Sequence, residues 1–229
     1  MRPVIVNVLA FDCAGSACAC AVLAAGQVAA RERAAMERGQ AEALPPMIRA
    51  TLACAAMGFS ELDLIAVTVG PGSFTGVRIG LAFAQGLALA TGLPLIGVTS
   101  FAAVAAGIEP TARAGRPLVV ALESRRAELY LQCFSPEGTP LGARRLVAAD
   151  AADAFLPPGP LALAGDGAPR LAGWIAARAP VVLGDDTPNP ADIARVGLAH
   201  WRPGERPARP RPLYLRAPDT SVPRARVLS

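Results

Sequence analysis

Residues 66–100, AVTVGPGSFTGVRIGLAFAQGLALATGLPLIGVTS, read as a strand, a glycine turn, a long helix and a second strand. That order is the α/β unit of a layered protein, in which helices cover a sheet. From the turn onward, every fourth position carries a small residue: Gly72, Gly76, Gly80, Ala84, Ala88 and Gly92. Residues four apart share a helix face, so this face has almost no side-chain bulk and another backbone can approach it closely. Glycine inside a helix costs about 0.5–1 kcal/mol relative to alanine, so a chain that keeps it repeatedly gains something in return. The return is either tight packing within the molecule or a bound partner.

Outward from this unit, residues 4–12 and 17–24 are apolar and β-rich, with Ala14, Gly15 and Ser16 as the turn between them. They form a hairpin carrying Asp12 at its tip, and residues 27–38 continue as a third strand. A helix is predicted over residues 40–57, with Leu44, Met47, Ile48, Thr51, Leu52 and Ala55 on one face and Gly58 as its stop. Pro45 and Pro46 fit only its first turn. A short helix over residues 100–106 closes a first lobe. The Gly/Pro-rich stretch 107–117 marks the boundary, giving lobes 1–107 and 108–229. The second lobe reopens with strands 118–122 and 128–134 around the turn 123–127. A Pro-rich connection follows, then a strand at 161–164, the turn Gly165, Asp166, Gly167 and a helix over 169–178. Two lobes that each begin strand, polar turn, strand point to a duplicated unit.

Composition narrows the chemistry. With 229 residues the chain can hold one large domain or two lobes, and with aromatics at 5% its cores are built from Ala, Val, Leu and Ile. The net charge of +4 is concentrated in the tail, where residues 201–229 carry 7 Arg against 2 acids. The preceding 200 residues carry 15 Arg against 16 acids, so no basic groove is visible in the body, and the Pro/Arg-rich tail reads as solvated and partly extended. All 22 basic residues are arginine. Without lysine there is no Walker-type phosphate loop, no Schiff base and no Ser/Lys dyad. The single histidine, His200, has no second imidazole with which to share a metal, and reads as a surface residue. Five cysteines without CxxC spacing give neither a disulfide framework nor a zinc site, and no metal centre is expected. Asp12 interrupts the apolar N-terminus, Pro94 divides the uncharged run 79–100, and the cytoplasm is the expected compartment, with no membrane partner.

The glycine turn GPGSFTG is neither the dinucleotide GxGxxG nor the lysine-ending phosphate loop. Ser73 lacks the GxSxG elbow, since Pro71 stands where glycine is needed, and with Thr75 it serves as a cap for the helix start. Asp12, Glu123 and the turn Gly165, Asp166, Gly167 stand where actin-like and sugar-kinase ATPases hold two phosphate loops and an adenosine loop. Cys13 and Ala14 replace the hydroxyls such a loop needs, so the set reads as a vestigial nucleotide site.

The motif GPGSFTGVRIGLAFAQGLA with LPLIGVTS closely resembles the bacterial TsaB (YeaZ) family. So do FDCAGSACACAVL, QAEALPPMI, AGDGA and PLYLRAPD. The likeness extends over nearly the whole chain. It implies a two-lobed actin-like fold (ASKHA, RNase H-like), α/β, with a mixed sheet and flanking helices in each lobe. It also implies a non-catalytic partner of TsaD, which transfers a threonylcarbamoyl group to adenosine 37 of tRNAs reading ANN codons, acting with the ATPase TsaE. TsaD-type proteins hold a metal with a histidine pair four residues apart, and Ser100 and Val104 occupy those positions here. The family's Asp-Thr-Ser is Asp12, Cys13, Ala14 in this chain, its His-Ser-Glu is Gln40, Ala41, Glu42, and its second-lobe Asp is Glu123. No cofactor is expected beyond weak ATP or ADP at the complex interface, and tRNA is met only through the complex.

By the same resemblance, the two helices of the first lobe form the surface for TsaD or for a second copy in a homodimer. The residues assigned to it are Leu44, Met47, Ile48, Thr51, Gly72, Phe74, Gly76, Val77, Gly80, Leu81, Ala84 and Ala88, with packing inside the lobe as the competing reading of the small-residue row. Bulky changes at Gly76 or Ala84 are then expected to abolish TsaD binding without unfolding the protein. The alternative function is an actin-like ATPase or a glycoprotease-like (M22 family) hydrolase acting on its own.

Overall fold

Strand β1 (Val8–Asp12) is buried along its whole length because helices cover both faces of its sheet, which is why it reads as a continuous apolar run. Leu9 and Phe11 point to one layer, Val8 and Ala10 to the other. The structure, a computed structural model, describes residues 6–184, 187–205 and 207–216; the start of the expected first strand lies outside them. β2 (Ala17–Ala24) and β3 (Gln27–Ala35) follow antiparallel, with Asp12 opposite Ala19 at the hairpin end. Helix α1 (Gln40–Cys54) comes next, then β4 (Leu64–Thr68), α2 (Phe74–Thr91) and β5 (Leu95–Val98). The sheet order is β3-β2-β1-β4-β5, with β4 and β5 parallel to β1.

Pro45 and Pro46 lie in the second turn of α1, contrary to the first-turn placement expected. The helix starts earlier than the prolines require, at Gly39, whose φ of 88° bends the chain in from β3. Neither proline can donate to the carbonyls of Ala41 and Glu42, and both of those residues are exposed, so water reaches that end of the helix.

Helix α3 (Ser100–Ala106) joins the lobes: Phe101, Val104 and Ala105 share a core with Leu118, Val120 and Leu122. After the short α4 (Pro110–Arg113), strands β6 (Leu118–Glu123), β7 (Glu128–Phe134) and β8 (Pro140–Ala148) form an antiparallel meander. β9 (Ala162–Ala164), α5 (Ala168–Trp174) and β10 (Val181–Gly184) complete the second lobe. Its order, β8-β7-β6-β9-β10, repeats that of the first sheet strand for strand. β8 replaces the irregular Pro-rich connection expected there; it is an exposed edge strand, so its sequence lacks an apolar run.

The division into 1–107 and 108–229 needs amending at one element. Helix α6 (Pro190–His200), which the sequence reading left unassigned, returns to the first lobe and buries Ala191, Ile193 and Ala194 against Val8, Ala10 and Ala66. Gly197 makes the approach close: a Cβ there would lie 2.7 Å from that of Ala66. His200 ends the helix, exposed.

Candidate functional site

The lobes leave between them a cleft of about 660 Å³, walled by the β1–β2 turn (Ala14, Gly15, Ser16), the start of α2, the β6–β7 turn (Glu123, Ser124, Arg125, Arg126), Asp166 and residues 213–216. Of the set read as a vestigial nucleotide site, only Glu123 and Asp166 line this cleft. They are coupled, since Asp166 Oδ1 accepts the Glu123 N–H at 2.9 Å, and Glu123 Oε2 pairs with Arg170 at 3.0 Å. Partial burial pushes the Glu123 carboxyl up against the opposing pull of Arg170, and burial likewise raises Asp166. Gly165 and Gly167 pack against Ala121, Leu122 and Leu129 and do not line the cleft.

Asp12 is fully buried beneath the turn. Its Oδ1 accepts the Thr68 hydroxyl and the Ala14 N–H (3.0 Å), and its Oδ2 accepts the Gly15 N–H (3.3 Å). Burial drives its pKa up despite these bonds, which work to lower it. The carboxyl is therefore committed to shaping the turn and does not reach the cleft. Among the described residues, no three His, Cys, Asp or Glu side chains converge on a metal position.

The small-residue row of α2 is occupied by the lobe itself. A Cβ at Gly76 would run into the carbonyl oxygen of Cys13, and one at Gly72 into that of Ala14. Ser73 N–H donates to the Ala14 carbonyl at 2.7 Å, while the Ser73 hydroxyl caps the helix by accepting the Gly76 N–H at 3.3 Å. Gly80 packs against Cys13 and Val67, and Ala84 is fully buried. Val77, Leu81, Leu44, Met47, Ile48 and Thr51 are likewise core residues. The assignment of these side chains to a partner surface is corrected: each is already buried within the protein, against the sheet, the β1–β2 turn or, for Val77, at the base of the cleft wall. Gly72 and Ala88 are half-buried, and of the assigned set only Phe74 stands exposed.

What α2 does present is a second row, Arg78, Ala82, Gly86 and Ala90, with Leu89 beside it at 87% exposure. A Cβ at Gly86 would meet open space. This row is offset by two positions from the buried one, about 200° around the helix, and so faces away from the sheet. The same spacing of four was available in the sequence. Mean hydropathy (1.2 over Phe74–Thr91) would let α2 pass for a membrane span, but its inner row is locked to β4 and to the β1–β2 turn.

Within the described part of the tail, residues 207–216 are not loose, as the composition had led us to expect. Gln85 Nε2 donates to the Pro210 carbonyl (3.2 Å), Leu213 N–H to the Val69 carbonyl (2.7 Å), and Arg78 Nε to the Tyr214 hydroxyl (2.9 Å). The Arg78 guanidinium sits 3.7 Å over the Phe74 ring, which itself lies 5.3 Å from Tyr214. Arg216 then crosses to the second lobe and pairs with Glu128 Oε1 at 2.6 Å, holding that carboxyl below its ordinary value.

Residues 23–161 match the family model described as "TsaD: tRNA N6-adenosine threonylcarbamoyltransferase". An uncharacterized protein of Mycobacterium tuberculosis is 38% identical over 182 residues, covering 80% of this chain and 77% of that protein. The tRNA threonylcarbamoyladenosine biosynthesis protein TsaB of Escherichia coli is 37% identical over 124 residues, 54% of this chain and 53% of that one. Among solved structures, YeaZ from Pseudomonas aeruginosa superposes with a TM-score of 0.77 at 26% identity, covering 92% of this chain and 100% of that chain. The repeated five-stranded sheets form the two-lobed actin-like α/β fold, and the chain belongs to the family that the TsaD model describes, in its TsaB (YeaZ) branch.

Proposed function

We propose that this chain takes part in forming N6-threonylcarbamoyladenosine at position 37 of tRNAs reading ANN codons, as a non-catalytic partner of a TsaD-type transferase. The observation that carries the reading is the likeness to YeaZ along 92% of the chain, joined to 37% identity with a protein named for this biosynthesis. Two features support a role without catalysis. Asp12, the carboxylate of the degenerate first loop, is spent on Thr68 and on the turn amides. Ser100 and Val104, which stand where TsaD-type proteins carry their histidine pair, are buried in α3 and offer no imidazole.

The chain binds TsaD and helps recruit TsaE; tRNA is met through the assembly, and any ATP or ADP is held weakly where subunits meet. The docking face is the outward row of α2 with the adjoining outer face of α1, and a second copy of this chain competes for it. Reconstitution tests the reading: the chain, TsaD, TsaE, threonylcarbamoyl-AMP and tRNA are combined, then each is omitted in turn. Loss of modified adenosine without this chain is expected. Full modification without it would overturn the proposal.

A further inference from the structure

Cys13 and Cys18 meet where the first hairpin closes, one step beyond the last registered pair, Asp12 with Ala19. Their sulfurs are 3.7 Å apart and both side chains are fully buried. Residues directly opposite in an antiparallel pair have Cα atoms about 4.5–5.5 Å apart, inside the range that a disulfide spans. The third thiol of the hairpin, Cys20, is otherwise engaged: it lies 2.9 Å from the Thr51 hydroxyl, which already donates to the Met47 carbonyl. We propose that Cys13 and Cys18 are a reversible oxidation site, a dithiol that closes to a cross-strand disulfide and clamps the β1–β2 turn.

The site lies one layer beneath the cleft, because Ala14, Gly15 and Ser16, between the two cysteines, form part of its wall. The same turn holds the start of α2, through the Cys13 and Ala14 carbonyls at Gly76 and Gly72 and the hydrogen bond from Ser73. With hydrogen peroxide as oxidant, the Cys18 thiol gives up its proton and the thiolate attacks one peroxide oxygen; an S–O bond forms, the O–O bond breaks, and the departing hydroxide takes up that proton and leaves as water. The Cys13 sulfur then attacks the Cys18 sulfur; the S–S bond forms, the S–O bond breaks, and a second water carries away the Cys13 proton. Two thiols are oxidised and one peroxide is reduced to two waters. The direction of attack agrees with the hydrogen bond between the sulfurs, which lowers the Cys18 thiol and raises that of Cys13.

The test uses the full chain, reduced, treated with hydrogen peroxide, denatured, alkylated and mapped by peptide mass. Cys20 is expected to be alkylated while Cys13 and Cys18 are protected together, the peptide lacking two hydrogens, and dithiothreitol restores both labels. Hydrogen exchange at residues 14–16 and at Ser73 should slow in the oxidised form. Alkylation of all three cysteines, a Cys18–Cys20 pairing, or continued protection of Cys18 in Cys13→Ala would overturn the proposal. Unchanged exchange in a protein shown to be oxidised would overturn the clamp. The wild-type labelling pattern decides even where a variant folds poorly.

Discussion

A methyl group added at Gly76 meets the carbonyl oxygen of Cys13, whereas one added at Gly86 meets nothing. The two substitutions should therefore act with opposite signs on one helix. Gly76→Ala is expected to destabilise by about 1–3 kcal/mol through overpacking, and Gly86→Ala to stabilise by about 0.5–1 kcal/mol through helix propensity, both read from urea unfolding. Gly76→Leu would then unfold the lobe rather than selectively cost it a partner. Asp12 gives a second residue-level expectation. Its pKa is raised in the folded state, so the unfolded chain releases this proton first, and the stability present below its ordinary value of 3.8 is lost as pH rises through the folded value. Asp12→Asn keeps an acceptor for Thr68 and should remove that part of the loss, so the variant's stability relative to wild type increases from pH 4 to pH 7 in paired urea titrations. A constant difference across that window would reject the burial argument. The row of glycines was legible in the sequence because a period of four fixes which residues share a face. Whether that face turns inward was not legible, since it depends on the Cys13 and Ala14 carbonyls, brought near by the sheet.

Among the elements, α2 carries two rows with separate duties. Gly86→Leu and Leu89→Asp alter only the outward one, and each is expected to weaken binding to a TsaD-type partner at least about tenfold, which corresponds to 1.4 kcal/mol, with an unchanged urea midpoint for Leu89→Asp. Calorimetric titration of the folded variants would show it; wild-type affinity in both would remove α2 from the interface. The strand, glycine turn, helix and strand of the opening segment were readable from periodicity and capping residues alone. Helix α6 was not assigned, although Asn189 accepts the Ala191 N–H as a cap and Pro190 takes the first helical position. Its eleven residues follow Pro-rich chain, and what makes them a helix is the sheet on which they land.

For the molecule as a whole, α6 makes the first lobe depend on chain that comes after the second. A fragment of residues 1–107 lacks the cover for Val8, Ala10, Ala66 and Val98, and is expected to aggregate or bind a hydrophobic dye, while the whole chain does neither. A monomeric fragment that unfolds cooperatively would contradict this. The cleft shows the same limit of sequence reading: Glu123 and Asp166 could be named in advance, but the tail wall could not, because hydrogen bonds more than a hundred residues apart in the chain put it there. That wall also sets a mechanical limit. Leu213 is tied to Val69 in one lobe and Arg216 to Glu128 in the other, and the three residues of chain from one anchor to the next extend at most about 10 Å. The two halves are thus leashed at the mouth of their own gap, and they can swing apart only as far as that short cord allows before one of its two knots must slip.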